Sequence, residues 1–295
     1  MAARFQVTSR HESIPLVELH DREADSRVVV APSRGGMMKG FSVAGREIFF
    51  LNEATFQDSA QNVRGGNPIL FPSPGKLVGD TWSWHGRSGT LSQHGFARSL
   101  SWDEQQRAEA NDARVTLRLE AHAATLAVYP FPFTVELTYA LAGTRLLIEQ
   151  RVRNEGTEPM PFGFGFHPYF LVPQGEKARV RIPTAATGVF DNVIGARVSF
   201  HAPDLTADEI DWHLLDHDAA AATMVLPDGA VVTLDGSAEF THWVIWTRRG
   251  HDFVCLEPWT CPGNALNSGE RLIVLEPKEE RTLRLAISYQ PNALR

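Results

Sequence analysis

Alternation of apolar and polar residues with a period of two restricts this chain more than any other feature. Val115, Leu117 and Leu119 show it, as do Phe133, Val135, Leu137, Tyr139 and Leu141, and near the end Leu283, Leu285, Ile287 and Tyr289. Successive side chains of a strand point to opposite faces, so this spacing predicts half-buried β-strands with one face against a core. Shorter strands are expected at 146–152, 179–182, 230–234, 240–247, 253–257 and 271–275, separated by turn residues such as Asp228-Gly229 and Arg249-Gly250. Only 54–61 and 205–222 have spacing compatible with helix, and the second mixes apolar and polar residues without a clean apolar face. The expected fold is all-β and antiparallel. No linker, low-complexity tract or internal repeat interrupts it, so 1–295 is expected to form a single domain.

Composition supports a packed core and excludes several function classes. Hydrophobic residues make up 43% and charged residues 21%, which is ordinary for a globular protein. A net charge of −7 argues against a nucleic-acid partner, which selects for a basic surface. No run approaches the roughly 18 apolar residues of a membrane helix, and the opening MAARFQVTSRHESIPLVELHDREAD lacks a continuous apolar signal segment. A cytoplasmic location, with no membrane partner, is the expectation. Two cysteines, Cys255 and Cys261, are too few for a disulfide framework and are both expected reduced. Cys255 alternates with apolar neighbours and reads as a small buried hydrophobe, whereas Cys261 can be read either way.

The longest poorly patterned stretches are 57–92 and 188–206, and long irregular connections often carry function. The first holds Arg64-Gly65-Gly66-Asn67-Pro68-Ile69-Leu70-Phe71-Pro72 and Pro74-Gly75-Lys76, and it runs on to Gln93-His94-Gly95-Phe96-Ala97-Arg98. Glycines and prolines here shape loops around basic side chains. Arg64 offers a planar fork of donors for sugar hydroxyls, a carboxylate or a phosphate. Together with Lys76 and Arg98 it would form an anion pocket if the three converge.

Of the eleven histidines, His94 and His167 stand out, each set among glycines and aromatics that would keep water from an imidazole titrating near neutrality. Glu257 ends the apolar run Phe253-Val254-Cys255-Leu256 just before Pro258-Trp259, where partial burial would raise its pKa toward that of a general base. A structural pairing with an arginine is its alternative role. Metalloprotease, P-loop, nucleophile-elbow and dinucleotide motifs are absent. His213 and His217 have the spacing of two ligands on one helical turn, but no third ligand accompanies them, so no metal is expected.

Three ordered segments resemble the aldose 1-epimerase family: 62–72 with 93–98, Gly165-Phe166-His167-Pro168-Tyr169-Phe170, and Cys255-Leu256-Glu257-Pro258-Trp259. The resemblance spans nearly the whole chain and implies a large antiparallel β-supersandwich of the galactose mutarotase type. It implies a metal-free and cofactor-free isomerase that exchanges sugar anomers, with His167 as general acid toward the ring oxygen and Glu257 as general base toward the anomeric hydroxyl. It further implies that His94 and Arg64 bind sugar hydroxyls, with Asp211 the matching aspartate and Asp216 and Asp218 close by in sequence. Aromatics such as Trp82, Tyr169 and Trp259 could stack on the apolar face of a pyranose, although each is more often core or rim packing.

The favoured substrate on this reading is a free hexopyranose. The Arg64-Gly65-Gly66 turn departs from the longer Gly-Arg-x-x-Asn-Arg segment of galactose mutarotases and is similar to the hexose-6-phosphate 1-epimerase branch. In that branch residues like Arg64, Lys76 and Arg98 meet the phosphate. Other classes compatible with such a sandwich are a glycoside hydrolase or polysaccharide lyase domain and a non-catalytic carbohydrate-binding module. The presence of both His167 and Glu257 argues against the module.

Overall fold

The computed structural model describes residues 3–292. The strongly alternating segments become the strands Ala113–Glu120, Phe133–Ala142, Arg145–Asn154 and Glu280–Gln290. They lie side by side in an antiparallel seven-stranded sheet, flanked by Val231–Gly236 and Ala221–Val225 on one side and Asp103–Ala108 on the other. One face buries Val115, Leu137, Ile148 and Leu285 completely. The other is polar, with Arg151 paired to Glu136, Arg284 to Glu149, and Thr116 bonded to Thr138 at 2.8 Å. One buried and one solvated face is what a period of two demands.

Residues 5–47 form a five-stranded meander, from Phe5–His11 to Arg46–Glu47. It packs against the Ala113–Glu120 and Phe133–Ala142 strands. Asp21, fully buried, joins the two sheets: its Oδ2 accepts from Gly143 N at 2.7 Å, and both its oxygens accept from the Arg4 fork at 2.8 and 3.0 Å. Ser26 Oγ donates to Gly143 O at 2.6 Å beside it.

A third, eight-stranded sheet contains Ala196–Ser199, Gly188–Asp191, Glu209–Leu214, His242–Arg248 and Phe253–Trp259 in that spatial order, then Gly165–Phe166 and Ile69–Leu70. Tyr169–Leu171 also pairs with Phe253–Trp259. Residues of all three sheets, among them Leu19, Leu137 and Leu256, belong to one contiguous apolar cluster. Each fully buried side chain of that size contributes on the order of 1.5–3 kcal/mol.

Several expectations need correction. Residues 205–222 hold no helix but two strands in different sheets, Glu209–Leu214 and Ala221–Val225. Ile210, Trp212 and Leu214 alternate into the core, while Asp211 and His213 face a polar cavity, and that second face made the pattern look mixed. Residues 179–182 form only the end of a 3-10 turn and an isolated bridge between Arg181 and Val225, because Pro183 cannot donate to a continued ladder. The stretches 57–92 and 188–206 are more regular than their composition suggests. The first carries the Thr81–Trp84 and Arg87–Thr90 hairpin and the second the Gly188–Asp191 and Ala196–Ser199 hairpin. In 54–61 a helix does form, as Glu53–Gln57, where Asn52 Oδ1 accepts from Thr55 N at 3.1 Å as its cap. Among the described residues no helix is long and apolar enough to cross a membrane.

Candidate active site

One face of the eight-stranded sheet is the floor of a cavity of about 720 Å³, a volume typical of small-molecule sites. Strand register explains the composition of this floor. Gly165 pairs with Trp259 and Tyr169 with Cys255, so counting inward from either pair sets His167 opposite Glu257. The row continues across the sheet through Val244, His213, Phe190 and Arg197, each paired with the next. A parallel row runs through Trp246 and Asp211. All eight of these side chains line the cavity.

His167 occupies a break between two short strand pieces. Pro168 has no N–H to give, and the His167 N–H turns away to Pro68 O at 3.1 Å. The imidazole Nε2 stands 3.3 Å from Glu257 Oε1. His167 is 7% exposed and Glu257 1%, so the contact is nearly dry. Burial pushes the Glu257 carboxyl up, as does the neighbouring Asp211 charge, against the lowering effect of Trp259 and Arg98. Burial pushes the His167 imidazole well down, with His94 and Arg98 adding to it. Both shifts favour neutral partners, so without substrate the pair holds its one proton on the carboxyl. Trp259 Nε1 donates to Glu257 Oε2 at 3.2 Å and fixes the carboxylate plane, since residues two apart on a strand share a face. His167 Nδ1 is buried with no hydrogen-bond partner among the described residues, so nothing behind the ring dictates its tautomer.

The roof comes from 62–98 and from 262–271. Lys76 O accepts from Asn264 N at 2.8 Å, tying these two loops together. His94 and Gly95 both have left-handed backbone, at φ 72° and 69°, and a Cβ on Gly95 would stand 2.2 Å from Phe71 O, so only glycine fits there. This turn aims the His94 ring at His167, with centroids 5.5 Å apart. His94 Nδ1 bonds Pro74 O, and burial holds the imidazole neutral by pushing its pKa down to about 3. Nδ1 therefore carries the proton, and Nε2 is left as an acceptor for a hydroxyl.

The five cations that line the cavity are Arg64, Lys76, Arg98, Arg197 and Arg271. Among the described residues none of them forms an ion pair, whereas most arginines elsewhere in the chain do. Arg64 lies over the Trp246 ring at 5.6 Å. Arg98 donates from Nη2 to Gln93 O at 3.0 Å, yet its buried Nε has no partner.

The structure thus brings together all seven residues singled out from sequence, His167, Glu257, Arg64, His94, Asp211, Lys76 and Arg98, around one cavity. Of the three aspartates considered, Asp211 lines it, while Asp216 accepts from Thr187 and Gly188 amides and braces the neighbouring hairpin. Of the aromatics weighed for stacking, Trp82 takes the packing role: it is buried in the core, donating to Val128 O at 3.0 Å, and cannot meet a sugar. Trp259 and Trp246 line the cavity, and Tyr169 stacks beneath His167 at 4.7 Å.

Two further histidines line the cavity: His242, which nothing in the sequence reading marks, and His213, which is weighed there only as a metal ligand. An amide nitrogen can only donate, so Asn192 Nδ2 gives a hydrogen bond to His213 Nε2 at 2.6 Å, and His213 Nδ1 in turn donates to His242 Nε2 at 2.7 Å. Both rings press on Trp259, at 5.2 and 5.8 Å. The signal that marks them is alternation itself, Asp211-x-His213 and His242-x-Val244-x-Trp246, in which polar residues recur on the cavity side of a buried strand. His217 instead bonds Thr184 and Ala221 O, away from His213, so the two do not form a ligand pair.

Ligand atoms of His167, Cys255 and Glu257 come within 4.8 Å of one another. Metal binding needs the thiolate, and burial pushes the Cys255 thiol well up, so this donor set suits a metal poorly. Cys261 is equally buried, against Gly163, with its thiol pushed up to about 12.

Residues 18–288 match the family model described as aldose 1-epimerase. A protein of Cenchrus ciliaris named "Putative glucose-6-phosphate 1-epimerase" is 27% identical over 277 residues, covering 84% of this chain and 77% of its own. The protein YihR of Escherichia coli K12, named as uncharacterized, is 25% identical, with 70% and 74% covered. Among solved structures, the Slr1438 protein from Synechocystis sp. PCC 6803 superposes with a TM-score of 0.91 at 34% identity, over 99% of both chains. The galactose 1-epimerase of Lactobacillus acidophilus NCFM gives 0.74 at 15% identity, over 98% of this chain and 99% of its own, a likeness of fold.

Proposed function

This chain belongs to the aldose 1-epimerase family and is an isomerase, and from that premise we propose that it exchanges the α and β anomers of a hexopyranose, using His167 and Glu257. The observation that carries this reading is the buried, directly opposed imidazole and carboxyl, 3.3 Å apart, in a cavity with room for a sugar. Ring opening starts from the ion-pair form, in which the shared proton has passed from Glu257 to His167: ionised Glu257 takes the proton from O1 as His167 gives one to O5, and the C1–O5 bond breaks to leave an aldehyde without a free oxyanion. The proton then lies on Glu257 and not on His167, which is the arrangement that burial favours. Rotation about C1–C2 turns the other aldehyde face to the O5 hydroxyl. In closure His167 removes that proton and Glu257 protonates O1, which restores the starting charges. His94 Nε2, Asp211 and the Arg64 fork supply contacts to the remaining hydroxyls.

A phosphorylated hexose is a second reading, favoured by the unpaired state of Arg64, Lys76 and Arg98 around the roof. Anomer exchange followed by NMR in galactose, glucose and glucose 6-phosphate tests both. Acceleration of any of them that drops on the order of a hundredfold in Glu257→Gln and in His167→Asn supports the mechanism. Near-normal rates in either variant remove that residue from it. Lys76→Ala is expected to weaken the phosphate ester by about 1.5–3 kcal/mol and to leave the free sugars little changed. Equal effects on both would exclude a phosphate subsite at Lys76.

A further inference from the structure

His167 and Glu257 are set for the addition of a hydroxyl to an aldehyde, and that hydroxyl need not belong to the sugar. Closure of an open-chain hexose starts with the proton on Glu257 and with His167 neutral, the arrangement that burial of both groups favours. Glu257 donates to the carbonyl oxygen while His167 Nε2 takes the proton of the attacking O5 hydroxyl. His167 Nδ1 has no partner among the described residues, so the ring is free to keep its own proton there and leave Nε2 as the base. A short hydroxyaldehyde offers its carbonyl to Glu257 in the same way but has no O5 to set beside Nε2. That position is polar on three sides. Glu257 Oε1 stands 3.3 Å from His167 Nε2, and the His94 ring meets the His167 ring edge to face with centroids 5.5 Å apart. His94 Nε2 is a second acceptor, because Nδ1 is engaged by Pro74 O. A water held in a protein needs about two to four polar partners, and two imidazole acceptors and a carboxyl supply them. The cavity of about 720 Å³ has room for that water beside a small substrate.

Resting on the anomer-exchange reading above, we propose that the same pair catalyses the reversible hydration of short α-hydroxyaldehydes that cannot close a ring, interconverting free aldehyde and gem-diol. In hydration the water oxygen bonds to C1 as its proton passes to His167 Nε2, and the C1–O1 π bond opens as O1 takes the proton of Glu257. This leaves the gem-diol, ionised Glu257 and protonated His167. Return of the proton from His167 to Glu257 across their 3.3 Å contact completes the cycle. Dehydration is ring opening with a hydroxyl in place of O5: Glu257 takes the proton of one hydroxyl while His167 protonates the other, which leaves as water. Water is the only co-substrate. A hexose brings its own O5 hydroxyl to Nε2 and therefore competes with the hydration.

Glycolaldehyde and D-glyceraldehyde serve as probes. Exchange between the C1 protons of aldehyde and gem-diol is read by NMR magnetisation transfer, beside anomer exchange of glucose, galactose and glucose 6-phosphate. The exchange rate is expected to rise in proportion to wild-type protein and to fall on the order of a hundredfold in Glu257→Gln and in His167→Asn, each matching wild type in circular dichroism. In wild type, a hexose that is itself exchanged is expected to halve the hydration rate at a concentration near its own KM. This competition assigns both reactions to one site without any variant. Hexose exchange with aldehyde exchange no faster than in protein-free buffer would overturn the hydration and leave the anomer-exchange reading standing. Hydration that an exchanged hexose does not compete with, or that survives both substitutions, would overturn it as well. Absence of exchange for every hexose would defeat the anomer-exchange reading instead. In that case the aldehydes still decide: hydration lost in both folded variants upholds the proposal, and hydration that is absent or unaffected removes it.

Discussion

His167 and Glu257 share a single proton in the proposed cycle, and this sets the pH dependence. Loss of that proton belongs to a carboxyl raised by burial, and uptake of a second belongs to an imidazole lowered by burial. The kcat/KM profile is therefore expected to be bell-shaped, with its alkaline limb above the ordinary carboxylate range and its acid limb below the ordinary imidazole range. Trp259 acts on this pair through its hydrogen bond to Glu257 Oε2. Trp259→Phe keeps the aromatic wall but removes the donor that favours the ionised carboxylate. It should lower kcat by about tenfold and move the alkaline limb upward, and an unmoved limb would reduce Trp259 to packing. Glu257 and His167 were legible in sequence because each stands beside proline and aromatics at the end of an apolar run. The hydrogen bond between Trp259 and Glu257 was not, because it depends on side-chain direction.

Among the elements, the strands with one solvated face were plain from alternation, and the cavity-floor strand Glu209–Leu214 was not. Its polar side faces an interior void, so it lacks the arginine-rich outer face of a strand such as Arg145–Asn154. The contact between the five- and seven-stranded sheets also has a titration signature. Burial raises the Asp21 carboxyl, but Arg4 and the amides of Gly143, Glu23 and Ala24 outweigh it and leave it at about 2, from an ordinary value of 3.8. A carboxyl lowered in the folded state stabilises the fold above the ordinary value and loses that contribution as pH falls through about 2. Asp21→Asn should cost about 1–2 kcal/mol at neutral pH, allowing for screening of the half-exposed Arg4. Its denaturant midpoint should also fall less steeply than wild type between pH 4 and pH 2. Parallel acid curves would mean that Asp21 does not couple the sheets electrostatically.

Across the whole molecule, charge is distributed unevenly: the chain carries −7 overall, yet its cavity is lined by five unpaired cations against Asp211, Glu257 and Glu270. A local positive field inside an acidic protein draws in anions and is weakened by salt, over a screening length of about 8 Å at physiological ionic strength. For glucose 6-phosphate, kcat/KM should therefore fall as salt is raised from 20 mM to 500 mM, on the order of several-fold, while values for a neutral sugar stay flat. Identical salt responses would show that the cations serve hydroxyls and loop carbonyls alone.

The sequence by itself determined the all-β class, the run of each long strand, and six of the seven residues that meet at the cavity, because alternation and local punctuation are properties of neighbouring residues; the seventh, Asp211, came from the family resemblance alone. Only the tertiary structure decided that His167 faces Glu257, that His213 and His242 join the floor, that Trp82 belongs to the core, and that the floor continues to Phe190 and Arg197. Those outcomes depend on register between strands up to about ninety residues apart in sequence. Register is fixed by packing of whole sheets and not by any local run of residues.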